Sequence, residues 1–195
     1  TSHTSISGIT LRSQANKYPL NWVTCSEAQT LASQAGTNGH TGSLMFGLQW
    51  DLVEKYIESK AVAQGTAIGT IQSQLMTNST SWGNYSSTLY DITSGSVQYS
   101  TNNGSTWLTA PYSKTSSGNT FLTTGAIATF GKQNIFDLAG NVWEWTLEYS
   151  DNTDNPCTIR GGAYYKEGNG DPASSRNVGA IDTSNNNTGF RVTIY

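Results

Sequence analysis

Apolar residues recur at helical spacing in two early segments of the chain. The first segment begins with Thr24-Cys25-Ser26-Glu27, a helix-capping signature in which a Ser or Thr is followed three residues later by Glu. The apolar stripe behind it is built of small residues and ends at Gly36. Its members are Ala28, Leu31, Ala32 and Ala35. We predict a short helix that packs closely against a sheet.

The second helical segment is predicted from Gly47 to Lys60. Charged residues, including the pair Asp51 and Lys55, occupy the face that we assign to solvent. Trp50 lies beside the apolar stripe and is predicted to reach a second packing surface. The stripe itself, which we predict to face the core, consists of Leu48, Leu52, Val53, Tyr56 and Ile57.

Apolar and polar residues alternate at the end of the segment Asn134 to Thr146, which predicts a strand. Trp143 and Trp145 belong to one face of this strand, and Glu144 belongs to the other. The Gly140-Asn141 pair before it predicts a sharp turn that frees backbone carbonyls. A carboxylate beside such carbonyls suits a hard cation. The alternative is a solvated Glu or one that is paired with Arg, since a buried charge needs a partner.

Shorter strands are predicted at both ends of the chain. Ile9 to Leu11 and Trp22 to Val23 are predicted to be strands or extended segments near a sheet edge. Cys157 to Gly162 and Gly189 to Tyr195 are predicted to be late strands, with Arg-Gly-Gly marking a close approach of two backbones. Because the helices come early and the strands late, the predicted fold class is α+β.

Between these parts lies a long polar segment, Ala61 to Thr129, rich in Ser, Thr, Asn and Gly. Isolated aromatic residues predict an insert of loops and short strands, not a disordered linker. Val97 to Ser100 and Ser105 to Leu108 are predicted to form a hairpin, because the intervening Asn103-Gly104 favours a left-handed turn. A decorated loop is the simplest interpretation of the insert.

Composition narrows the class of protein. The 195 residues fit one domain spanning 1–195, with 35% hydrophobic residues, 12% charged residues and a net charge of −3. The absence of a basic patch argues against nucleic acid as a partner. No apolar run reaches the roughly 18 residues that span a bilayer. Cys25 and Cys157 do not form a zinc knuckle or a CxxC redox site, and they are either one disulfide or two free core thiols.

Three late landmarks stand in order: Gly140-Asn141-Val142-Trp143-Glu144-Trp145, then Arg160-Gly161-Gly162, then Gly189-Phe190-Arg191. Asn21-Trp22-Val23-Thr24 and Gln49-Trp50 fit the same pattern more loosely. As a set they resemble the formylglycine-generating enzyme, or sulfatase-modifying factor, family. The resemblance implies a C-type-lectin-like fold in which two early helices pack on small antiparallel sheets.

The enzyme of that family oxidises a substrate cysteine with a copper ion held by two cysteines, which lie between the second and third landmarks. Here the interval Ala163 to Thr188 contains no cysteine. The matching positions fall near Lys166 and Asp171, which cannot bind Cu(I) as a soft thiolate does. We therefore expect no copper and no enzymatic activity. An oxidase or related protein-modifying enzyme of the same fold is the alternative.

The chain also resembles the variable proteins of diversity-generating retroelements, which share this fold. That resemblance implies a variable ligand-binding region at 160–191. Variation in such proteins arises by mutating adenines, most productively at Asn codons, and does not reach Lys, Glu, Gln, Met or Trp. The run Asn177 to Thr188 contains only reachable residues, whereas Lys166 and Glu167 would be fixed. The plain alternative is a polar surface loop, against which Val178 and Ile181 weigh as branched apolar residues.

The first hypothesis is thus a non-catalytic protein that recognises a protein or another surface macromolecule. Arg176 and Arg191 are assigned to structural pairing beneath the recognition surface. The location expected from the resemblance is a virion or cell surface, in a viral or phage context. The predicted ligand-binding residues are Ala163, Tyr165, Asn169, Asp171, Ser175, Asn177, Val178, Ala180, Ile181 and Asp182.

The resemblance further implies a structural calcium ion. In the enzyme family the matching segment binds calcium through the Glu carboxylate and nearby main-chain oxygens, which points to Glu144 with the carbonyls of Gly140 and Val142. A calcium-dependent sugar site is not expected, because the tripeptides Glu-Pro-Asn, Gln-Pro-Asp and Trp-Asn-Asp do not occur in the chain.

Overall fold

The computed structural model describes residues 5–195, and over this range the chain forms three helices, eleven short strands and one 3₁₀ turn at Ala128–Phe130. The helices are α1 (Cys25–Ser33), α2 (Gly47–Ala63) and α3 (Ile68–Met76). The strands are β1 (Gly42–Leu44), β2 (Tyr90–Ile92), β3 (Gln98–Ser100), β4 (Leu108–Thr109), β5 (Tyr112–Lys114), β6 (Phe121–Leu122), β7 (Trp143–Tyr149), β8 (Cys157–Arg160), β9 (Arg176–Gly179), β10 (Thr188–Phe190) and β11 (Val192–Ile194).

The strands of residues 5–195 form four small sheets. The largest has the order β10-β7-β8-β9, in which β10 runs parallel to β7 and the other neighbours are antiparallel. β1 pairs with β11, β2 pairs with β5, and β3 lies between β4 and β6, all antiparallel. The α+β class predicted from the sequence is confirmed.

The aromatic face of β7 packs on α1. The capping box at Thr24 and Glu27 starts this helix, as predicted. Trp145 donates its indole N–H to the carbonyl of Val23 at 2.9 Å, which ties the strand to the residue before the cap. Small residues on α1 let the helix approach the sheet closely. The buried core on this side comprises Val23, Cys25, Ala28, Leu31, Ala32, Leu44, Trp143, Trp145, Cys157, Ile159 and Ala163.

The opposite face of the same sheet is polar yet buried, and it packs against α2. Glu144 lies directly opposite Arg160, and Arg160 lies directly opposite Arg176 on the next strand. Trp50 of α2 is fully buried against this face. The guanidinium carbons of Arg160 and Arg191 lie 5.4 and 5.6 Å from its ring centroid, within the range of cation–π attraction. We call this arrangement the arginine layer.

The predicted buried face of α2 is confirmed at Val53 and Ile57 but wrong at its other three residues, and the helix itself is confirmed and extends to Ala63. Leu48, Leu52 and Tyr56 are 71%, 58% and 46% exposed, while Trp50 and Ile57 are buried. The reason lies in the sheet. Its facing surface presents arginines, so α2 turns Trp50 and acidic residues toward it, and Leu48, Leu52 and Tyr56 are left outside.

Residues 61–129 contain one helix that the sequence pattern did not predict, α3, which buries Ile71 and Leu75. The predicted hairpin is confirmed as β3 and β4, with Asn103 and Gly104 at positive φ. The aromatic residues of this segment pack mostly on one another, as in the stacked rings of Tyr99 and Tyr112, whose centroids are 4.0 Å apart.

The two ends of the chain differ from the predicted strands. Ile9 to Leu11 and Trp22 to Val23 are not paired in a sheet, and the apolar residues of this region pack on the α1 core. The closing strand is divided at Arg191 into β10, which pairs with β7, and β11, which pairs with β1.

The close approach of two backbones predicted at Arg-Gly-Gly is confirmed, because a Cβ at Gly162 would lie 2.5 Å from the carbonyl oxygen of Asp171. Within residues 5–195 we find no helix with the length and apolarity to cross a membrane.

Glu54 should make stability depend on pH. Its carboxylate accepts the Trp50 indole N–H at 3.2 Å, and burial raises its pKa from 4.5 to about 7, opposed by Arg160. The folded state therefore binds this proton more tightly than the unfolded chain, and its stabilising effect is lost as pH rises from 4.5 through 7. We expect Glu54→Gln to be more stable than wild type by about 1–2 kcal/mol at pH 8 and equal below pH 4.5, measured by urea unfolding. Glu167→Gln, at an exposed carboxylate, is the control, and a difference independent of pH would contradict the assignment.

Candidate ligand-binding site

The centre of the predicted ligand-binding region is β9, an outer strand of the four-stranded sheet. Asn177 and Val178 are exposed on it, although both lie opposite buried residues of β8. Asn177 folds its side chain back so that its Oδ1 accepts the N–H of Val178 at 2.8 Å. This short strand thus exposes side chains to solvent, while the N–H of Val178 already has a hydrogen-bond acceptor within the strand.

β9 begins at Arg176, which is held by two carboxylates. Its Nη2 donates to Asp51 of α2 at 2.6 and 2.8 Å, and its Nε donates to Glu148 of β7 at 2.7 Å. The same two carboxylates accept from the fully buried Arg160, at 2.9 and 3.0 Å. Like charges directly opposite on neighbouring strands repel, so Asp51 and Glu148 are what allows Arg160 and Arg176 to lie side by side.

A second ion pair follows the region at Arg191. Its Nε and Nη2 donate to the two oxygens of Glu144 at 2.5 and 2.6 Å, and Nη2 also donates to the carbonyl of Asp137 at 3.1 Å. Burial raises the pKa of the Glu144 carboxyl, and Arg191 opposes this shift. Both arginines assigned to structural pairing are therefore confirmed in that role, one at each end of residues 177–190.

Between the two ion pairs the chain forms a loop whose return is fixed by its backbone. The carbonyl of Asn185 accepts the N–H of Trp22 at 2.9 Å, and the carbonyl of Asn187 accepts the N–H of Trp143 at 2.7 Å. Ile181 is 51% exposed, Asp182 is exposed and Ala180 is half-buried. The loop is thus held by main-chain atoms, while the side chains near its tip face solvent.

One junction that the sequence did not predict connects this loop to the insert. The Tyr164 hydroxyl donates to Asn103 Oδ1 at 3.0 Å and accepts from Asn186 Nδ2 at 3.0 Å. Its ring stacks on Phe121 with centroids 4.9 Å apart. The tip of the β3–β4 hairpin therefore contacts the loop between the ion pairs. The Asn-Gly turn predicted the hairpin, but nothing in the sequence pattern paired its tip with Asn186.

The predicted site residues that precede β9 in the chain lie outside this strand and loop. Ala163 is fully buried in the α1 core, so its side chain cannot contact a ligand and this prediction is wrong. Tyr165 is 37% exposed and touches the ring of Tyr164, which places it beside the junction. Asn169 is exposed. The Oδ2 atom of Asp171 lies 3.5 Å from the Nζ atom of Lys166, so the two residues form an ion pair.

The segment around these residues packs on the insert, whereas the residues after it lie on the sheet edge. The N–H of Ser79 donates to the carbonyl of Gly168, and the N–H of Ser174 donates to the carbonyl of Leu75. Ser175 is half-buried, and its carbonyl accepts from Arg160 at 3.1 Å. The predicted residues from 177 to 182 thus lie on one strand and the loop after it. Tyr165 is connected to that loop because its ring contacts Tyr164, whose hydroxyl is hydrogen-bonded to Asn186.

Comparison with known protein families shows to which family the chain belongs. The sequence model of one family, the sulfatase-modifying factor enzyme 1-like domain, matches residues 2–194. The chain belongs to this family. The resemblance seen in the three landmarks is thereby confirmed.

Solved structures similar to this sulfatase-modifying-factor-like chain share little sequence with it. The crystal structure of CarF matches with a TM-score of 0.55 and 15% identity, covering 90% of this chain and 67% of that chain. Treponema denticola variable protein 1 matches with a TM-score of 0.48 and 14% identity, covering 98% and 76%. Among curated proteins none matches. The likeness to CarF is one of fold.

The cysteines of this family member lie in its core. Cys25 and Cys157 are free thiols, 1% and 8% exposed, on the aromatic side of the sheet. Burial raises the pKa of Cys25 to about 12, and contact with Cys157 adds to the shift. A thiol with so high a pKa is a poor nucleophile and metal ligand at neutral pH, because the thiolate is the reactive form.

The carboxylate predicted to bind calcium, that of Glu144, is paired with an arginine in this structure. Both oxygens of Glu144 accept from Arg191, and a guanidinium in contact repels a cation. Gly140 is at positive φ, as expected for a sharp turn. Within residues 5–195 no group of three or more His, Cys, Asp or Glu side chains is placed to hold a metal ion. Calcium at Gly140, Val142 and Glu144 stays a prediction, and a melting temperature unchanged by a chelator would count against it.

Removing Arg191 should destabilise the fold strongly. Arg191→Gln leaves the buried Glu144 carboxylate without its cation, and we expect a loss of about 3–5 kcal/mol in the free energy of unfolding. The double variant Glu144→Gln with Arg191→Gln should regain part of that loss, since no buried charge is left unpaired. Urea unfolding measures both. Arg12→Gln, at an exposed arginine, is the control, and an equal effect at Arg12 and Arg191 would contradict the role of the ion pair.

Proposed function

We propose that this protein is a non-catalytic ligand-binding protein whose C-terminal surface accommodates sequence variation, as in the variable proteins of diversity-generating retroelements. The observation that carries the proposal is the separation of scaffold from surface between Arg176 and Arg191. Both arginines are held by carboxylates of β7 and α2, while Asn177, Val178 and Ile181 between them are exposed.

This arrangement would let the surface change without changing the fold. The return of the loop depends mainly on carbonyls of residues 185 and 187, which any amino acid supplies, and Asn186, bonded to Tyr164, is the exception. The strand pairing of β9 with β8 likewise uses the backbone. Exposed side chains away from caps, cores and ion pairs contribute little to stability, typically within about 0.5 kcal/mol.

The chemistry of the exposed side chains suits adaptable recognition. Tyr165 supplies contact area at low cost in conformational entropy, and Asn169, Asn177 and Asp182 supply hydrogen-bonding groups. Val178 and Ile181 add apolar contacts. We propose a protein or another macromolecule displayed on a cell or virion surface as the partner, with the variable protein itself exposed on a virion or cell surface.

Adenine-directed mutation makes a prediction at the level of DNA. The run Asn177 to Thr188 contains only residues that randomised Asn codons reach. We expect the DNA near the gene to encode a reverse transcriptase and to hold a second copy of this coding segment, which differs from the gene only where that copy has adenine. A neighbourhood without both features would remove the basis for the variable-region assignment, while leaving ligand binding by a fixed surface open.

An oxidase or another protein-modifying enzyme is the second candidate, because the family is named for an enzyme. Its test is incubation with copper and a cysteine-containing sulfatase peptide. Stoichiometric copper binding with oxidation of the peptide would contradict the non-catalytic proposal. We expect neither, since Cys25 and Cys157 are both buried beneath the sheet.

A further inference from the structure

A groove of about 420 Å³ lies away from the proposed ligand surface, where α2, α3 and the segment 131–133 meet. Its floor is apolar, because Ile57, Ile71 and Trp82 line it and all three are nearly fully buried. Its rim is made of uncharged polar side chains and one cation, Lys132. The polar lining residues are Gln64, Thr66, Gln74, Ser81 and Gln133.

Lys132 is the feature that gives the groove a chemical preference. Its ammonium lies 5.2 Å from the ring centroid of Trp82 and donates to the carbonyl of Thr129 at 2.7 Å. An ammonium carries three donors, so this hydrogen bond leaves others to be satisfied. No carboxylate lines the groove, and within residues 5–195 Lys132 takes part in no ion pair.

The charge of Lys132 is also partly removed from water. Burial lowers the pKa of its amine, and no acidic neighbour opposes this shift. A desolvated cation without a counter-charge is stabilised by an anion that brings its own charge to it. The charge is a single one, which matches a carboxylate better than a doubly charged phosphate.

We propose that this groove binds the carboxylate of an organic acid, with the acid group on Lys132 and the carbon skeleton against Trp82. Amide groups of Gln64 and Gln133, which are hydrogen-bonded to each other across the rim at 3.2 Å, would exchange that contact for the carboxylate oxygens. The acid could be a free small molecule or the terminal carboxylate of a peptide. Both present the same chemistry to Lys132.

The probes distinguish these two sources. Benzoate represents a free acid, and N-acetylphenylalanine represents a peptide terminus. Benzamide and N-acetylphenylalaninamide are the neutral counterparts. We expect titration calorimetry and thermal unfolding of the whole chain to show binding of at least one acid, and binding of its amide about tenfold weaker or more, since the charge-assisted contact is lost.

Variants locate the contact. Lys132→Gln should weaken the binding acid about tenfold or more, whereas Lys132→Arg should retain it. Lys60→Gln is the matched control, because Lys60 also lies over an aromatic ring, that of Tyr56 at 5.6 Å, but outside the groove. It should change acid binding by less than about twofold.

A second readout does not depend on any variant folding well. The pKa of the Lys132 amine, followed by NMR of the wild-type protein, should rise when the acid binds, because an anion next to it favours the charged form. Equal binding of acid and amide, an unchanged Lys132 pKa, or no binding of either acid would overturn the proposal.

Discussion

The arginine layer is the constraint on which the rest of the structure depends. One face of the central sheet carries Arg160 and Arg176 side by side, with Arg191 reaching it from the corner between β10 and β11. Guanidinium groups packed against a helix require anions, and the three carboxylates that pair with them come from two elements: Asp51 from α2, and Glu144 and Glu148 from β7. Satisfying these charges therefore fixes where α2, the central strand and the C-terminal strands lie relative to one another.

Trp50 connects the charges into a single unit. Two of the three arginines lie over its ring, and its N–H is shared between Glu54 and the carbonyl of Ala173. The layer is thus more than a set of separate ion pairs, and a change in one member is felt by the others. The aromatic face on the other side of β7 packs without ion pairs, with Trp143 and Trp145 against small residues of α1 and one hydrogen bond from the Trp145 indole to the Val23 carbonyl.

The sequence predicted the aromatic side well, and on the polar side it predicted the pairing of Arg176 and Arg191 but not which residues of α2 face them. The capping box at Thr24, the alternation around Glu144 and the Asn-Gly hairpin are local signals, and the structure confirms each. Leu48, Leu52 and Tyr56 of α2 were wrongly predicted to be buried, because periodicity assumes that a helix buries its apolar stripe, whereas this helix faces arginines. Ala163 was wrongly placed at the surface, since a pattern between two landmarks does not tell which side chain points inward. The contact of Tyr164 with Asn103 and Asn186 joins residues too distant along the chain for any local signal.

The proposed recognition surface follows from the separation between residues that hold the fold and residues that face solvent. Charged and main-chain contacts hold residues 176 and 185–191, and the exposed side chains between them form no ion pair and one local hydrogen bond, from the N–H of Val178 to Asn177. Tolerance of change is therefore expected only at positions outside the arginine layer and the core.

The most direct test of a variable surface on a fixed scaffold is the free energy of unfolding of two sets of combinatorial variants. The replacements in both sets are drawn from the same amino acids. One set replaces Asn177, Val178, Ala180, Ile181 and Asp182 together, and the other replaces the buried residues Cys157, Ile159, Ala163, Ala173 and Thr188. We expect the first set to stay within about 1–2 kcal/mol of wild type and the second to fail to fold. Equal losses in the two sets would show that the exposed residues 177–182 are as important for folding as the buried core, contrary to a surface that varies on a fixed scaffold.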